Sequence, residues 1–73
     1  MIKKVNNILQ DTLKTDVDYL DLAKDLINLI KNNDREYKYI IDTIQILILR
    51  EAYRFLTFIE CENLYKKIKE IIN

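Results

Sequence analysis

Hydrophobic residues recur along the chain at the three- and four-residue spacing that is typical of amphipathic helices. The first such block covers residues 2–14. Its apolar positions fall on one side of a helix, with asparagine, glutamine and lysine between them: Ile2, Val5, Ile8, Leu9 and Leu13. The pattern predicts a first helix over residues 2–14.

The second block predicts a helix over residues 17–32. Thr15 is a candidate N-cap, with Asp18 in the reciprocal position three residues later. The helix is expected to end near Asn32 and Asn33, because asparagine is the best substitute for a glycine C-cap in this chain. Its apolar side consists of Tyr19, Leu22, Ala23, Leu26, Leu29 and Ile30.

The third block, residues 35–56, has two apolar stripes instead of one, and Asp34 is its candidate N-cap. On a helical wheel with Tyr39 at zero, the stripes centre near about 150° and about 310°. The first consists of Tyr37, Ile40, Ile41, Ile44, Leu47, Ile48, Ala52 and Phe55. The second consists of Tyr39, Ile46, Leu49, Tyr53 and Leu56. A helix that is apolar on opposite faces is expected to be buried between neighbours.

A fourth helix is predicted over residues 58–72. The segment from Thr57 to Glu60 matches a capping box, in which the threonine and glutamate side chains each bind the other's backbone N–H. The apolar positions also change phase after Thr57, with Cys61 on the new stripe as a small buried side chain. The alternative is one continuous helix through residues 35–72.

These elements predict a single all-α domain over residues 1–73, a small bundle of three to four helices with residues 35–56 as a long central helix. Glycine and proline are absent, and there is one cysteine and no histidine. An internal disulfide and a structural zinc site are therefore excluded. A domain this short is marginally stable alone. We expect the second stripe of the central helix to be covered by the last helix, by a target or by a second copy of the chain, and a homodimer is the first choice.

Composition indicates a protein that is not an enzyme. The sequence has neither serine nor histidine, so the usual pairs of nucleophile and base cannot form. Without glycine there is no phosphate-binding loop. No cofactor or metal is expected. Twelve basic and twelve acidic residues give a net charge of zero, which makes a nucleic-acid partner unexpected.

Three groups of residues are candidates for contact with a partner or ligand. The second stripe is the candidate interface: Tyr39, Ile46, Leu49, Tyr53 and Leu56. Arg50 and Arg54, beside Tyr53, have the chemistry to bind phosphate and stack on a base. Glu51 falls within the first stripe, where it is either buried with a partner or open to water near the helix end. An acidic ridge could dock on a basic protein: Asp18, Asp21 and Asp25.

The first functional hypothesis is a small, non-catalytic, cytoplasmic interaction module, a regulator or inhibitor that acts by binding another protein. The richness in isoleucine, lysine and asparagine is typical of AT-rich genomes and suggests a phage or mobile element as the source. The second hypothesis is an oligomer that binds or sequesters a nucleotide or small ligand. The third is a helical dimer that binds nucleic acid. No span is long and apolar enough for a membrane helix.

Overall fold

A computed structural model describes residues 1–33 and 36–73. The described residues form four α-helices: α1 (Ile2–Leu13), α2 (Leu20–Asn32), α3 (Tyr37–Ala52) and α4 (Phe58–Ile72). The prediction of an all-helical fold is therefore confirmed. The predicted N-cap Asp34 lies outside the described residues.

The helices alternate in direction around one core. Arg54, just after α3, donates to the carbonyl of Leu13 at the end of α1, so these two helix ends lie on the same side. The ends of α2 and α4 meet on the opposite side, where Ile30 and Ile72 line the same groove. The core consists of side chains from all four helices, with Leu9, Leu26, Ile44 and Leu64 among the fully buried ones.

The two helices at the middle of the bundle are α2 and α4. Each of them packs against the other and against both α1 and α3, whereas α1 and α3 barely touch. The third helix is 16 residues long and α4 is 15, so α3 does not have the length that the pattern over residues 35–56 predicted. Because α3 lies at one side of the bundle, only one of its two apolar stripes can be covered by its own chain.

The third helix ends at Ala52 rather than Leu56. Tyr53 adopts the left-handed conformation, with φ 53°, and its N–H donates to the carbonyl of Leu49 at 3.1 Å. This is the αL type of helix ending, in which one hydrogen bond from the residue after the cap closes the last turn. The chain therefore breaks before Thr57, which excludes the alternative of one continuous helix.

The second helix starts at Leu20, later than the predicted start at residue 17. Thr15 does not cap it; instead the Thr15 hydroxyl accepts a hydrogen bond from the N–H of Val17. Two side chains of α1 hold the intervening segment in a non-helical path. Asn6 accepts from the N–H of Tyr19 at 2.7 Å, and Gln10 donates to the carbonyl of Val17 at 2.9 Å.

The fourth helix begins as predicted. The hydroxyl of Thr57 accepts from the N–H of Glu60, and the Glu60 carboxylate accepts from the N–H of Thr57. Both halves of the capping box are thus present. Two of the four orphan N–H groups near the helix start are satisfied by this pair.

Candidate functional site

The turn between α3 and α4 folds back along α3. The N–H of Leu56 donates to Oε1 of Gln45, at 3.0 Å, which places the turn beside the middle of the helix that it has just left. Further along, the hydroxyl of Tyr37 donates to Glu62 at 2.6 Å, and the ring of Tyr37 meets that of Tyr65 edge to face at 5.4 Å. In this pairing of α3 with α4, the last two turns of α3 extend past the first residues of α4.

The turn is held by a buried anchor, by the contacts of Arg54 and by the capping box. Leu56 is fully buried, with an exposed fraction of 0%, and anchors the turn in the hydrophobic core. Arg54 donates to the carbonyl of Leu13 at 3.2 Å and approaches the carboxylate of Glu60 at 3.9 Å. The capping box of Thr57 and Glu60 fixes the far end. Contacts with the rest of the fold therefore fix the backbone path of the turn.

Three apolar side chains on this turn and on the first turn of α4 point into water. We call them the turn surface: Phe55, Phe58 and Ile59. Phe55 is 72% exposed and Ile59 is 66% exposed. Sequence analysis placed Phe55 in the core, as the last member of the first stripe of the third helix. That placement is wrong because α3 ends at Ala52, so the helical phase does not extend to Phe55.

A second apolar surface lies along the side of α3 that faces away from the bundle. We call it the outer α3 face: Tyr39, Ile46, Leu49 and Tyr53. Ile46 is 63% exposed and Tyr53 is 90% exposed. The predicted second stripe is thus uncovered by the chain's own helices, with Leu56 as the exception. Leu56 lies past the end of α3, and it turns inward with the loop rather than outward with the helix.

Arg50, Arg54 and Tyr53 do not converge on a common pocket. Arg50 pairs with Glu51 at 3.2 Å and approaches Asp25 on α2 at 4.0 Å. Arg54 points to the end of α1. The two guanidinium groups thus have protein acceptors on different elements. Tyr53, which lies between the two arginines in sequence, has its ring exposed to solvent. The two arginines are thus directed to different parts of the bundle, and a phosphate site at these residues stays a prediction.

Glu51 is exposed near the end of α3, which corresponds to the solvent-open alternative in the sequence analysis. It faces an open groove of about 350 Å³ whose other walls come from the start of α2 and the preceding loop. Asp18 and Asp21 line the same groove, whereas Asp25 lies beside Arg50. The predicted acidic ridge is therefore divided between two environments.

Within residues 1–33 and 36–73, no group of three or more histidine, cysteine or acidic side chains has an arrangement that could hold a metal ion. Cys61 is buried, and burial followed by the charges of Glu60 and Asp42 raises the pKa of its thiol to about 11. A protonated, inaccessible thiol is a poor nucleophile. Cys61 is thus a core side chain.

Two features of the structure were not predicted from the sequence. Asn6, Gln10 and Gln45 hydrogen-bond loop backbones that are distant in sequence. Phe58 and Ile59 occupy the first turn of α4, outside its buried stripe. The only available sequence signal for them was two apolar residues immediately after the capping threonine, out of phase with Cys61 and Leu64.

Among the described residues, no helix combines the length and the apolar character that crossing a bilayer demands. No protein-family model matches the chain, and no curated protein or solved structure is significantly similar to it.

Proposed function

We propose that the chain is a non-catalytic protein-interaction module, a cytoplasmic regulator or inhibitor that binds another protein through the turn surface. The observation that supports this proposal is the exposure of Phe55, Phe58 and Ile59. The turn that carries them is anchored in the core by Leu56. Contiguous exposed apolar patches mark protein-interaction sites, and a few side chains in such a patch carry most of the binding energy.

The rigidity of the turn favours binding. Association costs less when the contact residues are already ordered, since fewer side-chain and backbone conformations are lost. The core anchor Leu56, the Gln45 hydrogen bond and the capping box order this turn before any partner arrives. The expected partner has an apolar pocket that accepts the aromatic rings, with a polar rim facing Arg54 and Glu60.

Site-specific photo-crosslinking tests this proposal. A photoreactive phenylalanine analogue at Phe55 is expected to give one predominant protein adduct in cells of the source organism. The same analogue at Lys67, an exposed position on the opposite half of α4, is the control and is expected to give no such adduct.

The captured protein must then bind the purified chain directly. We expect Ile59→Asp to weaken that binding by more than about tenfold, since the carboxylate would be desolvated in an apolar contact. Asn28→Asp, which adds the same charge to an exposed position on α2, is expected to leave the affinity unchanged. A partner that binds both variants equally, or the absence of an adduct specific to Phe55, would refute the proposal.

A further inference from the structure

The outer α3 face has the spacing of a coiled-coil seam. Tyr39 and Ile46 of α3 are seven residues apart, and Leu49 follows Ile46 by three residues. Tyr53 lies just past the end of the helix. Residues at this spacing lie along one line of a helix, and they pack against a second helix that crosses at a small angle. Ile46 and Leu49 on this line remain exposed, because α3 packs mainly against α2 and α4 on its other side.

The charges on this face are placed symmetrically about Ile46. Asp42 lies four residues before Ile46 and Arg50 lies four residues after it, and both side chains are exposed. Tyr39 and Tyr53 are likewise equidistant from Ile46, seven residues away on either side. When the helix is reversed about Ile46, Asp42 and Arg50 exchange places with opposite charge, and Leu49 exchanges with Thr43.

We propose that two copies of the chain associate through antiparallel α3 helices, related by a two-fold axis at Ile46. In this register Ile46 meets its own symmetry mate. Asp42 of each copy lies opposite Arg50 of the other. This surface is separate from the turn surface, so the dimer does not depend on the proposed function.

The charge pattern selects a second copy in this orientation. A two-fold interface uses the same patch on both subunits, so the patch must be complementary to itself. The sign change about Ile46 meets that condition only when the helices are antiparallel. A parallel pair would place Asp42 against Asp42 and Arg50 against Arg50, which is unfavourable.

The existing ion pairs of these residues do not oppose the dimer. Asp42 is paired with Lys38 at 3.0 Å, one helical turn away. Arg50 is shared between Glu51 and Asp25. All of these pairs are solvent-exposed, and exposed ion pairs contribute little and rearrange readily. Each residue can therefore face the partner helix while keeping or exchanging its present neighbour.

The area of the face is sufficient for a specific but moderate interface. Two large tyrosine rings and two aliphatic side chains in each copy would bury on the order of 1,000 Å² in the dimer. That value is at the lower limit for specific protein interfaces, and we expect a dissociation constant of about 10–100 µM.

Sedimentation equilibrium over about 1 µM to about 1 mM tests the dimer. The wild-type chain is expected to pass from monomer to dimer across this range. Ile46→Asp, which places two carboxylates together on the axis, is expected to weaken association by more than about a hundredfold. Ile59→Asp, the same kind of change on the turn surface, is expected to leave it unchanged. Circular dichroism of each variant verifies that the helices remain folded.

Charge exchange tests the register. Asp42→Arg alone creates two like-charge contacts per dimer and is expected to weaken association by about tenfold, as is Arg50→Asp. The double variant Asp42→Arg with Arg50→Asp restores opposite charges and is expected to recover wild-type affinity within about threefold. A folded wild-type chain that remains monomeric at about 1 mM would overturn the proposal. A dimer that is insensitive to Ile46→Asp, or a different protein bound on the outer α3 face, would also overturn it.

Discussion

Because the chain has no glycine, Lys14 and Tyr53 adopt the left-handed backbone conformation that glycine usually takes after a helix. Both adopt positive φ, 55° and 53°, where the Cβ atom crowds the following backbone. Each follows a helix end and donates its N–H to the carbonyl four residues earlier. Thr15 adds a longer bond to Gln10 at 3.1 Å, as in a Schellman ending. The hydrogen bonds of these helix endings offset the steric cost of positive φ at Lys14 and Tyr53.

We expect Lys14→Gly to stabilise the fold by about 0.5–1 kcal/mol, because glycine adopts positive φ without the Cβ clash. Lys24→Gly, in the middle of α2, is the matched control and is expected to destabilise it by about 1 kcal/mol. Urea denaturation measures both changes. Equal destabilisation by the two substitutions would contradict the left-handed conformation of Lys14.

Glu60 makes the start of α4 sensitive to acid. Its carboxylate accepts from the N–H of Thr57, and this contact lowers the pKa of Glu60 despite partial desolvation, with help from the Thr57 hydroxyl, Arg54 and Lys14. The stabilisation by the ionised form is therefore complete above the pKa of a glutamate in the unfolded chain. It is lost as the pH falls through the lower pKa of the folded state.

We expect Glu60→Gln to retain most of the cap and to lose this pH dependence, since the glutamine carbonyl still accepts from the Thr57 N–H. The unfolding free energies of wild type and variant should differ at pH 7 and converge as the pH falls below the lowered pKa of Glu60 in the folded state. Glu70→Gln, an exposed change in the last turn of α4, serves as the control. A difference that stays constant with pH would show that the Glu60 charge is not linked to folding.

At the scale of elements, loop paths are set by glutamine and asparagine side chains on neighbouring helices. Gln45 on α3 accepts from the N–H of Leu56, which is partly buried. An amide N–H that loses its acceptor in such a place is costly. Gln45 thus fixes the path of the turn after α3 and, with it, the position of the turn surface.

We expect Gln45→Ala to destabilise the chain by about 1–2 kcal/mol, since the N–H of Leu56 would lose its partner. Gln45→Glu keeps a carbonyl-type acceptor at the same distance and is expected to retain most of the stability. Thermal and urea denaturation compare the two variants. Equal losses in both would indicate that the hydrogen bond contributes nothing and that only packing of the side chain matters.

Helix faces and the capping box of Thr57 were predictable because they depend on residues close in sequence. The end of α3 was not, because Tyr53 lacks any local sign of a left-handed corner and the apolar phase continues through it. The late start of α2 was hidden for a related reason. Thr15 has the chemistry of a local N-cap. The backbone that follows it is instead hydrogen-bonded by Asn6 and Gln10, which belong to another helix, α1.

At the scale of the whole molecule, Leu49 and Leu56 distinguish the core from the surface. Sequence analysis assigned both to the same stripe, since they are seven residues apart. In the structure Leu49 is on the outer α3 face, while Leu56 is among the fully buried side chains. The candidate interface could be predicted for the helical part of the stripe only, because the helix ends between these two residues.

We expect Leu56→Ala to lower the free energy of unfolding by about 2–4 kcal/mol, through lost burial and the cavity left behind. Leu49→Ala, the same change in an exposed position, is expected to cost less than about 1 kcal/mol when measured near 1 µM, where the chain is expected to be monomeric. Denaturant titration followed by circular dichroism separates them. Similar losses would place Leu49 and Leu56 on one continuous helical face.

The inward anchor at Leu56 also couples recognition to folding. The turn surface cannot move far from α3 without withdrawing Leu56 from the core, so amide hydrogens in the turn are expected to exchange with solvent more slowly than their position in a surface loop implies. A partner that binds Phe55 and Phe58 would bind the native state and not the unfolded chain. Its concentration would then raise the apparent stability of the entire bundle, and loosening of the bundle would weaken its affinity in return.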